Sequence, residues 1–130
     1  MGSQYEAKCI KCSHLCTISD GGGFTFHLIH CDKCGQEKSV PFDEIGELHL
    51  RYLKGLNVPY SMATREYDES VQKNYEGKPV SEEEYETGVE DMLEKCCCGG
   101  SFRFKAFPRC PKCGSDELEW DKSRPSVCYD

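Results

Sequence analysis

Cys98-Gly-Gly-Ser-Phe-Arg-Phe-Lys-Ala-Phe-Pro-Arg-Cys110-Pro-Lys-Cys113-Gly-Ser sets two cysteine turns, each followed by glycine, around a segment that alternates aromatic and basic residues. A glycine just after a second cysteine lets the backbone turn tightly, so that its N–H groups point at thiolate sulfur. Four sulfurs at the end of a small hairpin form the closed, tetrahedral set that a structural metal ion takes. Working outward, the other end of the chain repeats the idea. Cys9-x-x-Cys12 is followed, eighteen residues later, by Cys31-x-x-Cys34-Gly35. That spacing falls in the pattern of paired cysteine turns around zinc.

Eleven cysteines in 130 residues also raise the question of a secreted disulfide framework. The count is odd, and six of the eleven sit in Cys-x-x-Cys pairs. The first eight residues, Met-Gly-Ser-Gln-Tyr-Glu-Ala-Lys, carry no apolar run of a signal peptide. No window approaches the apolar length of a membrane span. The expectation is therefore Zn²⁺, two ions per chain, in a reducing cytoplasm. Each cysteine-rich end is shorter than the roughly 40 residues at which a chain folds without a staple. A structural zinc site supplies on the order of 10–16 kcal/mol.

For the first site the reading takes Cys9, Cys12, Cys31 and Cys34, with Cys16, His14 and His30 as competitors nearby. His30 adjoins Cys31 on a strand and points to its opposite face. For the second site Cys110 and Cys113 form a regular knuckle. Their partners come from Cys96, Cys97 and Cys98, because a knuckle ending at Cys98 would need a cysteine where Lys95 stands. Cys96 and Cys98 are chosen because alternate residues converge where neighbours point apart. Cys97 and Cys128 remain the alternatives, and Cys16, Cys97 and Cys128 are the expected free thiols.

Between the ends the period changes. Ser19-Asp-Gly-Gly-Gly23 is a turn, Phe24, Phe26 and Leu28 alternate on a strand, and 37–40 reads as a further strand that Pro41 ends. Phe42, Ile45, Leu48, Tyr52, Leu53 and Leu56 recur at helical spacing over 42–55. A second helix is expected over 62–75, with Ala63, Tyr67, Val71 and Tyr75 on its stripe. Ser81-Glu-Glu-Glu84 is a capping box that opens a third helix with Tyr85, Val89, Met92 and Leu93 inward. Phe102 and Phe104 share a strand face, 117–120 forms the returning strand, and 121–130 reads as an irregular tail. These stripes are too apolar for a solvated tether, so the middle is expected to pack, with the ribbon aromatics as its surface.

Both ends resemble the zinc-ribbon family on the strength of Cys9-x-x-Cys12, Cys31-x-x-Cys34-Gly, Cys98-Gly-Gly and Cys110-Pro-Lys-Cys-Gly-Ser. The resemblance covers roughly residues 5–40 and 94–122 and implies a three-stranded antiparallel unit on each pair of knuckles. The expected fold is a small metal-bound α+β chain. An N-terminal ribbon (1–40), an acidic helical segment (41–95) and a C-terminal ribbon with its tail (96–130) follow one another. The family implies fold and metal, not an activity.

Charge weighs on function. The net charge is −7, and residues 41–95 alone carry six basic against fourteen acidic groups. Eight thiol protons lost against two Zn²⁺ gained would take −7 to −11. Such a surface repels phosphate backbones. The expected function is therefore a non-enzymatic zinc protein with closed four-thiolate sites, serving as a protein-interaction or adaptor module. The alternative is nucleic-acid binding, with Arg103, Lys105, Arg109 and Lys112 interleaved with phenylalanines on the second hairpin. Catalysis is not expected. His14, His27, His30 and His49 have no nucleophile or carboxylate constellation around them in the sequence, and no small-molecule substrate is evident.

Overall fold

The structure is a computed structural model that describes residues 2–129. Met1 and Asp130, the outermost residues of the expected N-terminal ribbon and tail, lie outside the described residues. The chain divides into two compact units. One joins the stretch up to Val40 with the stretch from Glu94 onward, and the other is Pro41–Leu93. The ends therefore do not form two ribbons in succession; they build one unit together.

That unit holds two antiparallel sheets. Strand β1 (Gly2–Cys9) runs into the first knuckle and β2 (Leu15–Asp20) returns from it. Tyr5 lies opposite Ile18, and Ala7 opposite Cys16. The alternation of β1 turns Ala7 and Cys9 inward and leaves Glu6 and Lys8 exposed. After the glycine turn, β3 (Phe26–Cys31) enters the second knuckle and β4 (Glu37–Pro41) leaves it. The C-terminal stretch then adds short strands to both. Strand β5 (Phe102–Arg103) pairs with β3, and β6 (Leu118–Glu119) pairs with β1.

A last strand, β7 (Val127–Tyr129), lies on β1 beside Gly2–Gln4. The expected irregular tail is thus partly a strand. Tyr129 holds it down: its hydroxyl donates to the Gly21 carbonyl at 2.6 Å and its ring stacks on Phe26. The two sheets are also tied to each other. Ser19 of β2 receives the imidazole Nε2–H of His30 on its carbonyl at 3.1 Å and gives its amide to Glu37 at 3.1 Å.

The second unit is helical: α1 (Phe42–Ile45), α2 (Glu47–Gly55), α3 (Arg65–Asn74) and α4 (Glu82–Met92). The expected single helix over 42–55 is broken by Gly46, whose φ of 70° is outside the helical range. Ser81 caps α4 by accepting the Glu84 amide at 3.2 Å, and its hydroxyl donates to the Glu84 carboxylate at 3.1 Å. Tyr85 and Val89 are fully inside, while Met92 is half exposed.

Helix α3 presents a different face from the expected one. Asp68 is buried and Tyr67 exposed, a rotation of about 100° from the predicted stripe. The Asp68 carboxylate accepts from the Tyr60 amide at 2.9 Å and the Thr64 hydroxyl at 2.7 Å. A carboxylate so satisfied ties down the preceding loop and is stabilised inside the unit by those donors.

The apolar stripes of this unit meet one another. Tyr85 stacks on Tyr52 with centroids 4.0 Å apart, and Phe42 stacks on His49 at 3.9 Å. His49 Nδ1 and Tyr85 Oη lie 2.8 Å apart in the same interior. Leu53 beside them is fully buried, so Leu53→Ala would cost about 2–5 kcal/mol. Among the described residues, no helix is long and apolar enough to cross a membrane.

Burial lowers the His49 pKa from 6.5 to about 4, and the charge of Asp68 opposes this only in part. Between those values the unfolded chain binds a proton that the folded chain refuses. Stability therefore falls as pH drops from 6.5 towards 4, by roughly 2 kcal/mol once discounted for solvent access. Urea melts followed by helix circular dichroism should show this slope, and His49→Phe should flatten it. An unchanged slope in the variant would place the acid sensitivity elsewhere.

Candidate metal centres

Each knuckle is the tip of a hairpin or the start of a short strand. In three of the four the same two bonds close it. The first cysteine's amide donates to the carbonyl five residues on, and its carbonyl accepts from the amide four residues on. The distances are 2.9 and 2.9 Å for Cys9 with His14 and Ser13, 2.9 and 3.0 Å for Cys31 with Gln36 and Gly35, and 2.8 and 2.8 Å for Cys110 with Ser115 and Gly114. The residue four on has positive φ in every case: 61° at Ser13, 76° at Gly35 and 75° at Gly114. The fourth knuckle, Cys96-Cys-Cys98, is one residue shorter. Its bonds run from the Cys96 amide to Gly100 and from the Gly99 amide to Cys96, and Gly99 takes the positive φ of 88°. The missing cysteine at 95 thus reflects a tighter turn of the same kind.

Among the described residues, two groups of four cysteines have all their sulfurs within 4.8 Å of one another. These are Cys9, Cys12, Cys110 and Cys113, and Cys31, Cys34, Cys96 and Cys98. The eight cysteines are those selected from the sequence, but their partition is different. The expected sites paired neighbouring knuckles, 9/12 with 31/34 and 96/98 with 110/113. In the fold the first knuckle meets the last, and the second meets the third.

Strand register is the reason. Each N-terminal hairpin spends its own two strands on one knuckle, so the opposing knuckle has to arrive on a third strand. That strand is β6 for β1, with Cys9 opposite Leu118, and β5 for β3, with Cys31 opposite Phe102. The middle residues of the knuckles reinforce it. The Ile10 amide donates to the Glu117 carbonyl at 2.9 Å, and the Asp32 amide to Ser101 at 2.8 Å. Asp32 also accepts the Ser101 amide at 2.9 Å.

The geometry suits a tetrahedral ion. Metal–sulfur bonds of about 2.3 Å place tetrahedral ligands about 3.8 Å apart. Across the knuckles, Cys9–Cys113 lie at 3.5 Å, Cys12–Cys110 at 3.6 Å, Cys31–Cys98 at 3.5 Å and Cys34–Cys96 at 3.5 Å. All are far longer than the roughly 2.05 Å of a disulfide. Backbone amides point at the sulfurs: Lys33 and Cys34 on Cys31 at 3.4 and 3.5 Å, and Gly100 on Cys98 at 3.4 Å.

The thiols within each quartet differ in acidity. Burial resists ionisation of Cys31, but the Cys34 and Lys33 amides and the neighbouring thiols bring its pKa down to about 7. Cys110 reaches about 7 in the same way, against burial, through the Cys113 and Lys112 amides and its sulfur neighbours. The His14 amide favours the Cys12 thiolate, yet burial and the thiols of Cys9, Cys110 and Cys113 push its pKa up to about 12. Cys34 is likewise helped by the Gln36 amide and driven up to about 12 by burial and its three partners. One sulfur in each quartet ionises readily and another resists. A divalent ion held among them would let all four ionise.

The competing candidates sit outside both quartets. His30 is buried on Ser19, Cys97 and Cys128 are exposed, and Cys16 is half-buried beside the first quartet, its pKa raised by burial and by Cys110 and Cys9. Of the basic set at 103–112, two members have partners within the fold and two are exposed. Arg103 lies 3.9 Å from Asp32, Arg109 donates to the Gly114 carbonyl at 3.0 Å, and Lys105 and Lys112 are exposed. The sequence reading missed Gly100: a Cβ there would come 2.6 Å from Cys31 Sγ. The doubled glycine after Cys98 was the available signal.

Two predictions follow the geometry. C12S/C110S, both in one quartet, should lose one metal per chain and keep the other, while C12S/C34S should lose both. Neighbour pairing demands the reverse, and elemental analysis separates them. Gly100→Ala should destabilise the Cys31 quartet by about 1–3 kcal/mol through crowding at the sulfur, read as earlier metal release in a chelator titration.

The search of curated proteins and that of solved structures each returned no match. The family described as a domain of unknown function (DUF8255) matches residues 5–119, a span that takes in all four knuckles and the helical unit. The two quartets fit the zinc-ribbon resemblance, and the chain belongs to the DUF8255 family.

Proposed function

We propose that this protein is a non-catalytic zinc protein in which two structural Zn²⁺ ions shape a surface for binding another protein. The observation that carries the reading is closure: each quartet already supplies four sulfurs to one point. A four-thiolate tetrahedron leaves no position for a water or substrate, which is the mark of a structural site. Cys9, Cys31, Cys96 and Cys110 are buried, so the sulfurs belong to the framework of their unit.

Zinc is preferred over iron on redox grounds. A structural role needs no electron transfer, and thiolates bind either ion. A protein partner is preferred over nucleic acid because the net charge is −7 and two of the four candidate basic residues are engaged within the fold. Exposed Ile10, Leu15 and Met62 supply apolar contact surface that a free chain leaves in water. The odd cysteine count and its grouping into knuckles support a reducing compartment as the setting.

Elemental analysis of protein purified without added metal should return two zinc ions per chain in a colourless solution. Removing them with a strong chelator should melt the β-unit, because metal affinity and folding free energy are linked there. Red-brown protein containing iron, a single ion, or intact disulfides would overturn the assignment.

A further inference from the structure

The sheet formed by β2, β1 and β6 carries an open groove of about 890 Å³, whose lining includes Cys16 but none of the eight quartet cysteines. Glu6 and Lys8 of β1, Leu15 of β2, Glu119 of β6, and Trp120 and Asp121 just beyond it contribute to its walls. The register aligns three of these residues into one row across the strands. Lys8 has Leu15 on one side and Glu119 on the other. We infer that this groove is the docking site for an extended basic peptide segment of a protein partner, one that carries an apolar residue beside its lysines or arginines.

Three features of the groove select that chemistry. Its lining sets three carboxylates against the Lys8 ammonium, with the Lys122 ammonium over Trp120 as the second cation, so the balance is acidic and favours a cationic segment over an acidic one. Leu15 is 74% exposed, a large apolar side chain left in water at the groove's edge. Trp120 offers a π-face that already takes a cation, since the Lys122 ammonium sits 5.7 Å from its ring centre. An incoming arginine or lysine can replace Lys122 there without forming a new kind of contact.

The indole also has a spare donor. Trp120 Nε1 is shielded from solvent and has no hydrogen-bond partner among the described residues. Turning it towards a peptide carbonyl therefore breaks no existing bond. The groove crosses two strand spacings, roughly 10 Å, so about three extended residues span it. The inference rests on the protein-interaction reading above and specifies the surface and the partner's chemistry.

Trp120 is the single tryptophan of the chain, so its fluorescence reports on the groove directly. The test titrates the zinc-loaded full chain with a short Lys/Arg-Leu peptide, and with a Glu/Asp-Leu peptide of the same length. The basic peptide should shift the emission and the acidic one should not. E6Q/E119Q should weaken binding roughly tenfold, as two partly exposed ion pairs allow. Leu15→Ser should weaken it roughly threefold, and E83Q/D91N on α4 should leave it unchanged. Circular dichroism and zinc content confirm that each variant is folded.

Equal response to both peptides, no response, or indifference to E6Q/E119Q would overturn the groove assignment. So would loss of the exposed groove through self-association at working concentration. The broader reading is separated by capture from cell extract. A protein bound equally by the wild type and E6Q/E119Q would leave an interaction module with its site elsewhere. No peptide binding together with no captured protein would remove both.

Discussion

Four sulfur atoms held within 4.8 Å of one another can all ionise together only if a cation lies among them. Their negative charges repel, and burial makes each ionisation harder. The fold accepts that constraint twice. It meets it by closing knuckles from opposite ends of the sequence onto each other, with the strand pairs β1–β6 and β3–β5 setting the register. Those added strands are only two residues long, too short to hold a sheet together by hydrogen bonds alone. The quartets are what gives them a fixed address.

The pairing is nested. One quartet joins the first and last knuckles, and the other joins the two between, so the helical stretch lies inside both closures in the sequence. That stretch has its own means of cohesion: a cluster of Phe42, His49, Tyr52, Tyr60 and Tyr85, and an aspartate satisfied by the loop it anchors. Two cysteine quartets organise one unit, and aromatic stacking with buried polar satisfaction organises the other. With a metal held in the quartets the first would respond to chelation, while the second responds to protonation of an imidazole.

Local chemistry was readable in the sequence, and long-range pairing was not. Ser81 announces its cap three residues ahead of Glu84, and Cys-Pro-Lys-Cys-Gly announces a knuckle within five. Nothing in the spacing of Cys9, Cys12, Cys31 and Cys34 says whether the two knuckles face each other. That depends on which strands pair, and β5 and β6 are too short to show a period. The inward face of α3 escaped for a related reason. Tyr67 outranks Asp68 on any hydropathy scale, but Asp68 has three donors waiting in the preceding loop. The shortened turn at Cys96–Cys98 was legible as an anomaly, and its cause, a glycine at position four of the turn instead of five, became plain from the backbone. Val127–Tyr129 carried too little alternation to be read as a strand, and only its contacts with Gly2–Gln4 and Gly21 reveal it.

Nesting also fixes an order of events during synthesis. A ribosome delivers the first two knuckles as four bare thiols, with no partners yet made. The whole helical stretch emerges before either can be matched. Cys96 and Cys98 then complete the inner quartet while Cys110 and Cys113 are still to come, and the outer one closes last. For most of its translation the nascent chain is therefore an open dithiol pair of clamps, exposed to stray metal and to premature oxidation. The helices, which need no metal, can settle during that wait.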